Sequence, residues 1–519
     1  MVQLSELASK VKGKEIVIFV IVMIAGLSTA AYLYNLDKYS LTYYGDSASH
    51  LVGSRKFVDW MNPGLHNMGT VWLPLPHFLL LPFTLIDPLF RTGFAGLAVS
   101  LPSVAITSSF LYRMIKSQIG ISSIAFAGAL LYASNPNIMY LGITAMTEAP
   151  FMLFFVASAY YFQKWYQNLD TNNLHYLVKC SIFVSLATLC RYEGWVIPIF
   201  VILFTVVSMA MKKIDAKHRA YTMLISALSL SGVAIWLIWN AYQYNDPLEF
   251  TNAQYYSAAS QALARSNREN LLLQPLNVAS IYSITALAMY GPVLLAAAIL
   301  GYILHRRFEG RQKRSKLYIC LVLPSVFTVI TLIIGIGEMT QWFNARFLIL
   351  LSPLIILLVS IYIIKLPKRI RRNHLAVAGI ISSLFLYQLA TPAFGAVTFL
   401  DAKNGFFWKQ NPFAAQAGEA LRSLYDGGNI FILTGSAQEH RIMLSSGIAL
   451  RQFDEIIESS TWKASFKEPW LYDKWVVISN EPDSDAVNTT KYWMDRQDEL
   501  NKYYDVIYEN QYYKIMKLE

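Results

Sequence analysis

The chain has 519 residues, of which 55% are hydrophobic and only 15% are charged. An ordinary globular protein carries roughly 25% charged residues, so this composition argues against a soluble enzyme, a disordered chain or a coiled coil. The net charge of +10 could point to a nucleic-acid partner, but its meaning depends on where the charges lie. The three cysteines, Cys180, Cys190 and Cys320, lie in apolar runs and show neither disulfide nor metal-ligand spacing.

Hydrophobic runs recur along the chain up to residue 398. A helix that crosses a bilayer needs about 20 mostly apolar residues, so these runs predict a polytopic α-helical membrane protein with about 11 transmembrane helices. One weak span lies near 177–192. The clear spans cover residues 16–36, 92–112, 120–137, 148–165, 194–211, 221–241, 281–304, 317–336, 345–364 and 375–398.

The basic residues assign a side of the membrane to each loop. Loops rich in Lys and Arg face the cytoplasm, and the strongest are 211–219, 305–316 and 365–374. The inner segments then hold 22 of the 43 basic residues and five of the 33 acidic ones, so the positive balance is a topology signal that requires no nucleic acid. The same orientation leaves the proline-interrupted residues 71–89 outside, within a long outer loop at 37–91 that contains interfacial helices.

The composition changes after residue 398. Residues 1–398 are predicted to form a transmembrane catalytic domain, and residues 399–519 a small extracytoplasmic α/β domain. Apolar, β-branched runs predict strands at 429–434 and 474–480, and residues 503–516 predict a hairpin that turns near Glu509. Short helices are predicted near 421–425 and 439–445.

Acidic residues avoid the middle of the spans and gather at their outer ends, which favours interface chemistry over a proton pathway. Asp46 and Glu148 are the two candidates for catalysis, and Tyr44 and His50 lie beside Asp46. A structural interpretation is open for both acids. Asp46 could be the N-cap of a helix over 47–61, and Glu148 could complement a helix dipole.

Two further outer tips carry arginines. Arg191, Glu193 and Trp195 form a turn that could bind a substrate or simply anchor the chain at the interface. Arg346 follows Glu338 and could bind a phosphate or extend toward the lipid headgroups.

The long outer loop contributes aromatic and imidazole side chains. Trp72 and His77 belong to a Pro/aromatic platform, and His66 precedes them. A lone histidine there is more often structural than a ligand, so a metal site is not indicated.

These tips resemble the GT-C superfamily of membrane glycosyltransferases, and are similar to its protein O-mannosyltransferase and lipid A aminoarabinose transferase branch. The likeness covers about residues 15–365 and includes Gly45-Asp46, Glu148, 191–195 and 344–347. It implies transfer of a sugar from a polyprenyl-phosphate donor to an extracytoplasmic acceptor, with inversion at the anomeric carbon. Many relatives have an Asp-Glu pair where this chain has Asp46-Ser47.

The resemblance also implies roles for the residues at these tips. Asp46 matches the general base and Glu148 the second acid, while Arg346 and Arg191 would bind the donor phosphate. No cofactor is expected, although a divalent metal is possible because members of the superfamily differ in this need. The acceptor and donor pocket would be lined by Tyr44, His50, His66, Trp72, His77, Glu193, Trp195 and Glu338.

Two other functions are compatible with the same residues. A transporter or flippase of lipid-linked glycans could use the outer arginines to guide a phosphate, although the sequence lacks a polar inner path. A non-catalytic scaffold that displays residues 401–519 would require Asp46 and Glu148 to lie far apart. The sequence does not identify the sugar or the acceptor, and the protein is expected in the plasma membrane with its site outside.

Overall fold

The structure is a computed structural model that is mainly helical and carries one β-sheet. It describes residues 2–169, 174–252, 271–308, 315–340, 343–367, 369, 374–390, 396–406, 411–433, 437–455, 465–480, 492–493 and 495–519. Parts of the basic segments 305–316 and 365–374 and of the predicted span 375–398 lie outside these ranges.

The helices up to residue 252 carry the candidate acids. They are α1 (Val2–Leu36), α2 (Gly45–Arg55), α3 (Leu75–Thr84), α4 (Asp87–Thr92), α5 (Phe94–Ile119), α6 (Ser122–Ala133), α7 (Pro136–Leu141), α8 (Glu148–Gln167), α9 (His175–Thr188), α10 (Val196–Ala210), α11 (Arg219–Ala227), α12 (Ser231–Tyr244) and α13 (Glu249–Asn252). Short 3₁₀ turns at Ser40–Thr42, Leu65–Met68 and Tyr192–Trp195 lie between them.

The remaining helices complete the bundle and flank the sheet. They are α14 (Pro275–Phe308), α15 (Ser315–Ile333), α16 (Ser352–Lys365), α17 (His374–Ala390), α18 (Val397–Phe406), α19 (Asn411–Leu424), α20 (Ala437–Ser446) and α21 (Gln497–Leu500). A 3₁₀ helix at Ala345–Leu351 leads directly into α16.

Seven of the described helical segments are long and apolar enough to cross a membrane. They are Gly13–Leu36, Phe94–Ile119, Tyr192–Ala210, Ala216–Tyr244, Pro275–Arg307, Lys316–Ile333 and Ala345–Lys365. The other four predicted spans also fall on helices: α8 has 20 residues, while apolar stretches at Ser122–Ala133, His175–Thr188 and Val377–Tyr387 are shorter. The helical membrane fold is confirmed, and the number of 11 crossings stays a prediction.

The proline-rich part of the first loop forms two short helices, in agreement with a segment that does not span. Pro74 precedes α3, and Pro82 lies within it. At 1.5 Å per residue the 10 residues of α3 reach about 15 Å, roughly half of a bilayer core. Residues 71–89 therefore contain no helix long enough to cross the membrane.

The C-terminal part contains a five-stranded mixed sheet in the order β2-β1-β3-β5-β4. The strands are β1 (Ile430–Leu433), β2 (Phe453–Glu455), β3 (Trp475–Ser479), β4 (Tyr504–Glu509) and β5 (Tyr513–Leu518). β1 pairs in parallel with β2 and β3, and β5 is antiparallel to β3 and β4. The two predicted strands and the predicted hairpin are confirmed, whereas β2 was not predicted because three residues are too few to show a pattern. The predicted boundaries of the two domains stay predictions.

The sheet domain docks onto α2 through buried polar contacts. Glu455 of β2 forms an ion pair with Lys56, and their side chains are only 5% and 6% exposed. His440 of α20 lies 3.5 Å from Glu455 and 2.8 Å from the hydroxyl of Ser49. Arg441 donates to the backbone carbonyls that precede α2. The C-terminal domain therefore holds the helix that carries Asp46.

Lys56→Met should destabilise the protein strongly, because it leaves Glu455 buried without its cation, which costs about 3–5 kcal/mol. The matched control is Lys474→Met, since Lys474 forms a half-exposed pair with Asp426 and such pairs are worth about 0–1 kcal/mol. Thermal unfolding in detergent measures both. Equal melting temperatures for the two variants would contradict a stabilising role for the Lys56 contact.

Candidate functional site

Five charged side chains form one continuous hydrogen-bonded chain. The guanidinium of Arg346 donates from Nη2 to Asp46 Oδ2 at 2.6 Å and from Nε to Glu148 Oε1 at 3.1 Å. The same Glu148 oxygen accepts from Arg191 Nη1 at 2.8 Å, and Arg191 Nη2 donates to Glu193 Oε1 at 2.7 Å. Asp46 and Glu148 therefore share one arginine, which excludes the wide separation that a scaffold without a site would require.

Each acid occupies the first turn of a helix. Asp46 follows the first residue of α2 and Glu148 begins α8, where the positive end of the helix dipole favours a carboxylate. Asp46 is not the N-cap: the prediction of a helix over 47–61 was wrong, because Tyr44 is the N-cap and α2 ends at Arg55. A side-chain cap is also absent at Thr147, whose hydroxyl instead accepts from Arg191.

Ser47 joins the two acidic tips. Its hydroxyl oxygen accepts from the amide of Ala145 at 3.2 Å and donates to the carbonyl of Leu41. Gly96 of α5 allows the tip to approach closely, since a Cβ there would lie 2.3 Å from the amide nitrogen of Ala145. Ser47 thus links the start of α2 to the tip that precedes α8.

Arg346 is held inside the protein and does not extend to the headgroups. It is 9% exposed and lies in the 3₁₀ helix Ala345–Leu351. This helix begins after Asn344, which has a left-handed φ of 56° and donates from its side chain to the carbonyl of Glu338. Its burial and its two carboxylate partners exclude the interpretation of Arg346 as an interfacial anchor.

The two catalytic candidates differ in their access to solvent. The Asp46 side chain is 42% exposed, while that of Glu148 is 1% exposed. The Oε2 atom of Glu148 is buried and has no hydrogen-bond partner among the described residues. Asp46 is therefore the carboxylate that an incoming group can reach, and Glu148 organises the arginines behind it.

Tyr44 connects the site to a residue that the sequence did not reveal. Its hydroxyl donates to Asp401 Oδ2 at 3.1 Å, and its ring lies 5.0 Å from the guanidinium carbon of Arg346. Burial raises the pKa of the Asp401 carboxyl to about 7, although the nearby Arg346 opposes this effect. Asp401 lies in α18, just past the last predicted span, where nothing in the local pattern indicated a role.

His50, His77 and Trp72 form a second cluster, in which the first loop packs against itself. His50 Nδ1 lies 3.0 Å from His77 Nε2, and the His50 and Trp72 rings are 4.4 Å apart. Burial lowers the pKa of His50, and lowers that of His77 to about 4, so both imidazoles are neutral at pH 7. Trp72 and His77 of the predicted platform stack with their rings 5.9 Å apart, and His77 also pairs with His50, which the prediction did not include in the platform.

The structure does not bring all predicted residues to the acids. His66 is exposed in the 3₁₀ turn Leu65–Met68. Trp195 donates to the carbonyl of Thr188 and packs among aromatic rings. The backbone carbonyl of Glu338 accepts from the side chain of Asn344, which precedes the 3₁₀ helix of Arg346. Among the described residues, no group of three or more His, Cys, Asp or Glu side chains could hold a metal ion.

Comparison with known proteins gives this arrangement a family context. Residues 74–239, under half of the chain, match the family described as dolichyl-phosphate-mannose-protein mannosyltransferase. The structure of ArnT from Cupriavidus metallidurans bound to undecaprenyl phosphate is similar with a TM-score of 0.61, 11% identity and coverage of 95% of this chain and 97% of that one. The chain has the GT-C glycosyltransferase fold.

A second solved GT-C protein supports the same fold. The archaeal oligosaccharyltransferase AglB from Archaeoglobus fulgidus, in complex with an inhibitory peptide and a dolichol-phosphate, has a TM-score of 0.52 and 12% identity over 95% of this chain and 72% of that one. No curated protein matches this chain by sequence. The predicted resemblance is confirmed at the level of fold, and the chain is a multi-pass membrane protein.

Glu148→Ala should destabilise the site more than Glu193→Ala. Glu148 neutralises both arginines, whereas Glu193 contacts only Arg191. Removing the shared partner of a buried ion network costs about 3–5 kcal/mol. The melting temperatures of the two variants in detergent measure the difference. A smaller decrease for Glu148→Ala than for Glu193→Ala would contradict the central place of Glu148.

Proposed function

We propose that this protein is an integral-membrane glycosyltransferase that moves a sugar from a polyprenyl-phosphate donor to an extracytoplasmic acceptor, with inversion. The observation that carries the proposal is that Asp46, the exposed acid, and Glu148, the buried acid, share Arg346. The match to a mannosyltransferase family and the similarity to ArnT and AglB, both solved with a polyprenyl phosphate, support glycosyl transfer.

Asp46 has the chemistry of a general base. Attack of an acceptor hydroxyl or amide on the anomeric carbon builds oxocarbenium character, and a carboxylate must take the acceptor proton. Asp46 is the open carboxylate of the network, and only one of its oxygens is held by Arg346. In a single displacement the acceptor attacks opposite the departing phosphate, which inverts the anomeric centre.

Arg346 can couple proton transfer to departure of the phosphate. Its charge is divided between Asp46 and Glu148 in the structure. When Asp46 takes the acceptor proton, its attraction for the guanidinium falls, and Arg346 becomes available to stabilise the charge that develops on the leaving phosphate. Arg191, held by Glu148, Glu193 and Thr147, supplies a second positive charge behind it. The mechanism uses these two cations and assigns no step to a metal.

The remaining predicted roles follow from this arrangement as part of the proposal. The cluster of His50, Trp72 and His77 would form a wall of the donor and acceptor pocket beside α2. The first loop and the sheet domain would lie on the extracytoplasmic side of the plasma membrane, as the distribution of basic loops indicates. The acceptor could be a protein, a lipid or a glycan.

Transport of a lipid-linked glycan is the alternative function. It would use the same arginines to hold a phosphate but would form no glycosidic bond. Purified protein given labelled polyprenyl-phosphate sugars and membrane extract as acceptor distinguishes the two functions, because only a transferase consumes the donor and labels an acceptor. Movement of intact donor across liposomes without a glycosyl product would support the transporter.

Asp46→Asn should reduce transfer by about 10²-fold or more, because the amide cannot accept the proton. The amide oxygen can still accept from Arg346, so the variant should express and fold. The matched control is Asp87→Asn, an exposed acid of the same loop that pairs with Arg55 and Arg91. Near-parental transfer by Asp46→Asn would exclude Asp46 as the base.

Arg346→Lys should reduce transfer by about 10²-fold or more, because one ammonium cannot reproduce the planar fork that contacts both acids. Arg55→Lys is the control, since Arg55 also pairs with two acids, Asp59 and Asp87, in the first loop. Initial rates over a range of donor concentrations separate binding from turnover. Unchanged kinetics in Arg346→Lys would remove Arg346 from the donor site.

A further inference from the structure

Asp401 is a buried carboxyl that the proposed mechanism does not use. It lies in α18 and is 7% exposed. The start of α18 is held by α7, because the amide of Thr398 donates to Asn137 Oδ1 at 2.9 Å and the Thr398 hydroxyl donates to the Asn137 carbonyl at 3.3 Å. The position of Asp401 is therefore set by the bundle.

Tyr44 links Asp401 to the reacting groups. Its hydroxyl donates to Asp401, and Arg346 lies over its ring. Tyr44 is also the N-cap of α2, two residues before Asp46. Among the described residues, Asp401 has no direct hydrogen bond to Arg346 or Asp46, so it acts on them through Tyr44 and through its charge.

The groups around Asp401 bring its pKa close to neutral pH. Its pKa is raised to about 7: burial and repulsion from Asp46 and Glu148 raise it, while the attraction of Arg346 and the hydrogen bond from Tyr44 lower it. The titratable and charged groups that face Asp401 from the surrounding elements are Tyr44, Asp46, Tyr140, Glu148, Arg346 and, next to Tyr140, Arg441.

The charge on Asp401 alters the balance around Arg346. Arg346 and Arg191 together face the three carboxylates of Asp46, Glu148 and Glu193, so the network already holds one more acid than arginine. An ionised Asp401 adds another negative charge beside the cation that an incoming phosphate must use. A protonated Asp401 adds none, and its carbonyl oxygen can still accept the hydrogen bond from Tyr44, so the geometry is kept while the charge changes.

We propose that Asp401 is a positioning residue for the donor: its protonated form leaves Arg346 to a lipid-linked phosphate, and its ionised form weakens donor binding. This inference rests on the proposed function for the identity of the ligand. It gives the start of the C-terminal region a role in substrate affinity that is separate from the proton transfer at Asp46.

Binding of undecaprenyl phosphate to the purified full-length protein at pH 6 and pH 8 tests the inference. The parent protein should lose affinity at pH 8 relative to Asp401→Asn by about fivefold, which is the loss at that pH when phosphate binding raises the pKa of Asp401 by one unit from about 7. The lipid phosphate also titrates, but it does so equally with both proteins. The affinity of the parent divided by that of Asp401→Asn at each pH therefore isolates the effect of Asp401. Asp495→Asn, an exposed site in the C-terminal region, should behave as the parent.

If the ratio of the affinity at pH 6 to the affinity at pH 8 is the same in the parent and in Asp401→Asn, the inference is wrong. If Asp401→Asn does not fold, Tyr44→Phe provides the second test, because loss of the Tyr44 hydrogen bond should move the midpoint of the pH dependence upward. An unchanged midpoint in that variant would contradict the coupling. Binding needs no turnover, so a protein that transfers no sugar but keeps this pH difference would refute the proposed function and support the inference.

Discussion

The shared guanidinium of Arg346 is the contact on which the site depends. It joins Asp46 and Glu148 across 300 and 198 residues of sequence. A buried arginine is tolerated only when carboxylates balance its charge, and a buried carboxylate such as Glu148 requires the same in return. Arg346 and Glu148 are therefore stable only together, and the further bond from Arg346 to Asp46 aligns the first turns of α2 and α8 with the 3₁₀ helix before α16.

Much of the surrounding structure serves to keep α2 in register with that arginine. On one side, Ser47 accepts from the tip that precedes Glu148. On the other side, the C-terminal domain contacts α2 through Glu455 and His440 and holds the preceding carbonyls through Arg441. A domain with no obvious motif thus contributes to the position of the proposed base, and Asp401 extends this contribution to the charge around the donor site.

The sequence predicted the fold class, most of the strands and the acids and arginines that the structure brings together. Long apolar runs and basic loops suffice to predict the fold class, since the bilayer constrains helix length and composition. The acids were found because charged residues are rare in this chain and collect at helix ends. Sequence reasoning could not place His66, Trp195 and Glu338 relative to the acids, because proximity along a loop does not decide which way a side chain points. It also assigned Asp46 the wrong place in its helix, since a cap depends on backbone angles.

By itself, the sequence determined that this is a helical membrane protein whose few acids and arginines lie at helix ends, and it predicted a fold that resembles the GT-C fold. Only the tertiary structure decided which of them meet: that Arg346 takes both Asp46 and Glu148, that His50 pairs with His77, and that Asp401 lies behind Tyr44. The physical reason is the separation along the sequence over which each interaction acts. Hydropathy and helix signals act over one helix, whereas a buried charge selects its partners from residues that are hundreds of positions away, and only the packed bundle brings these within hydrogen-bonding distance.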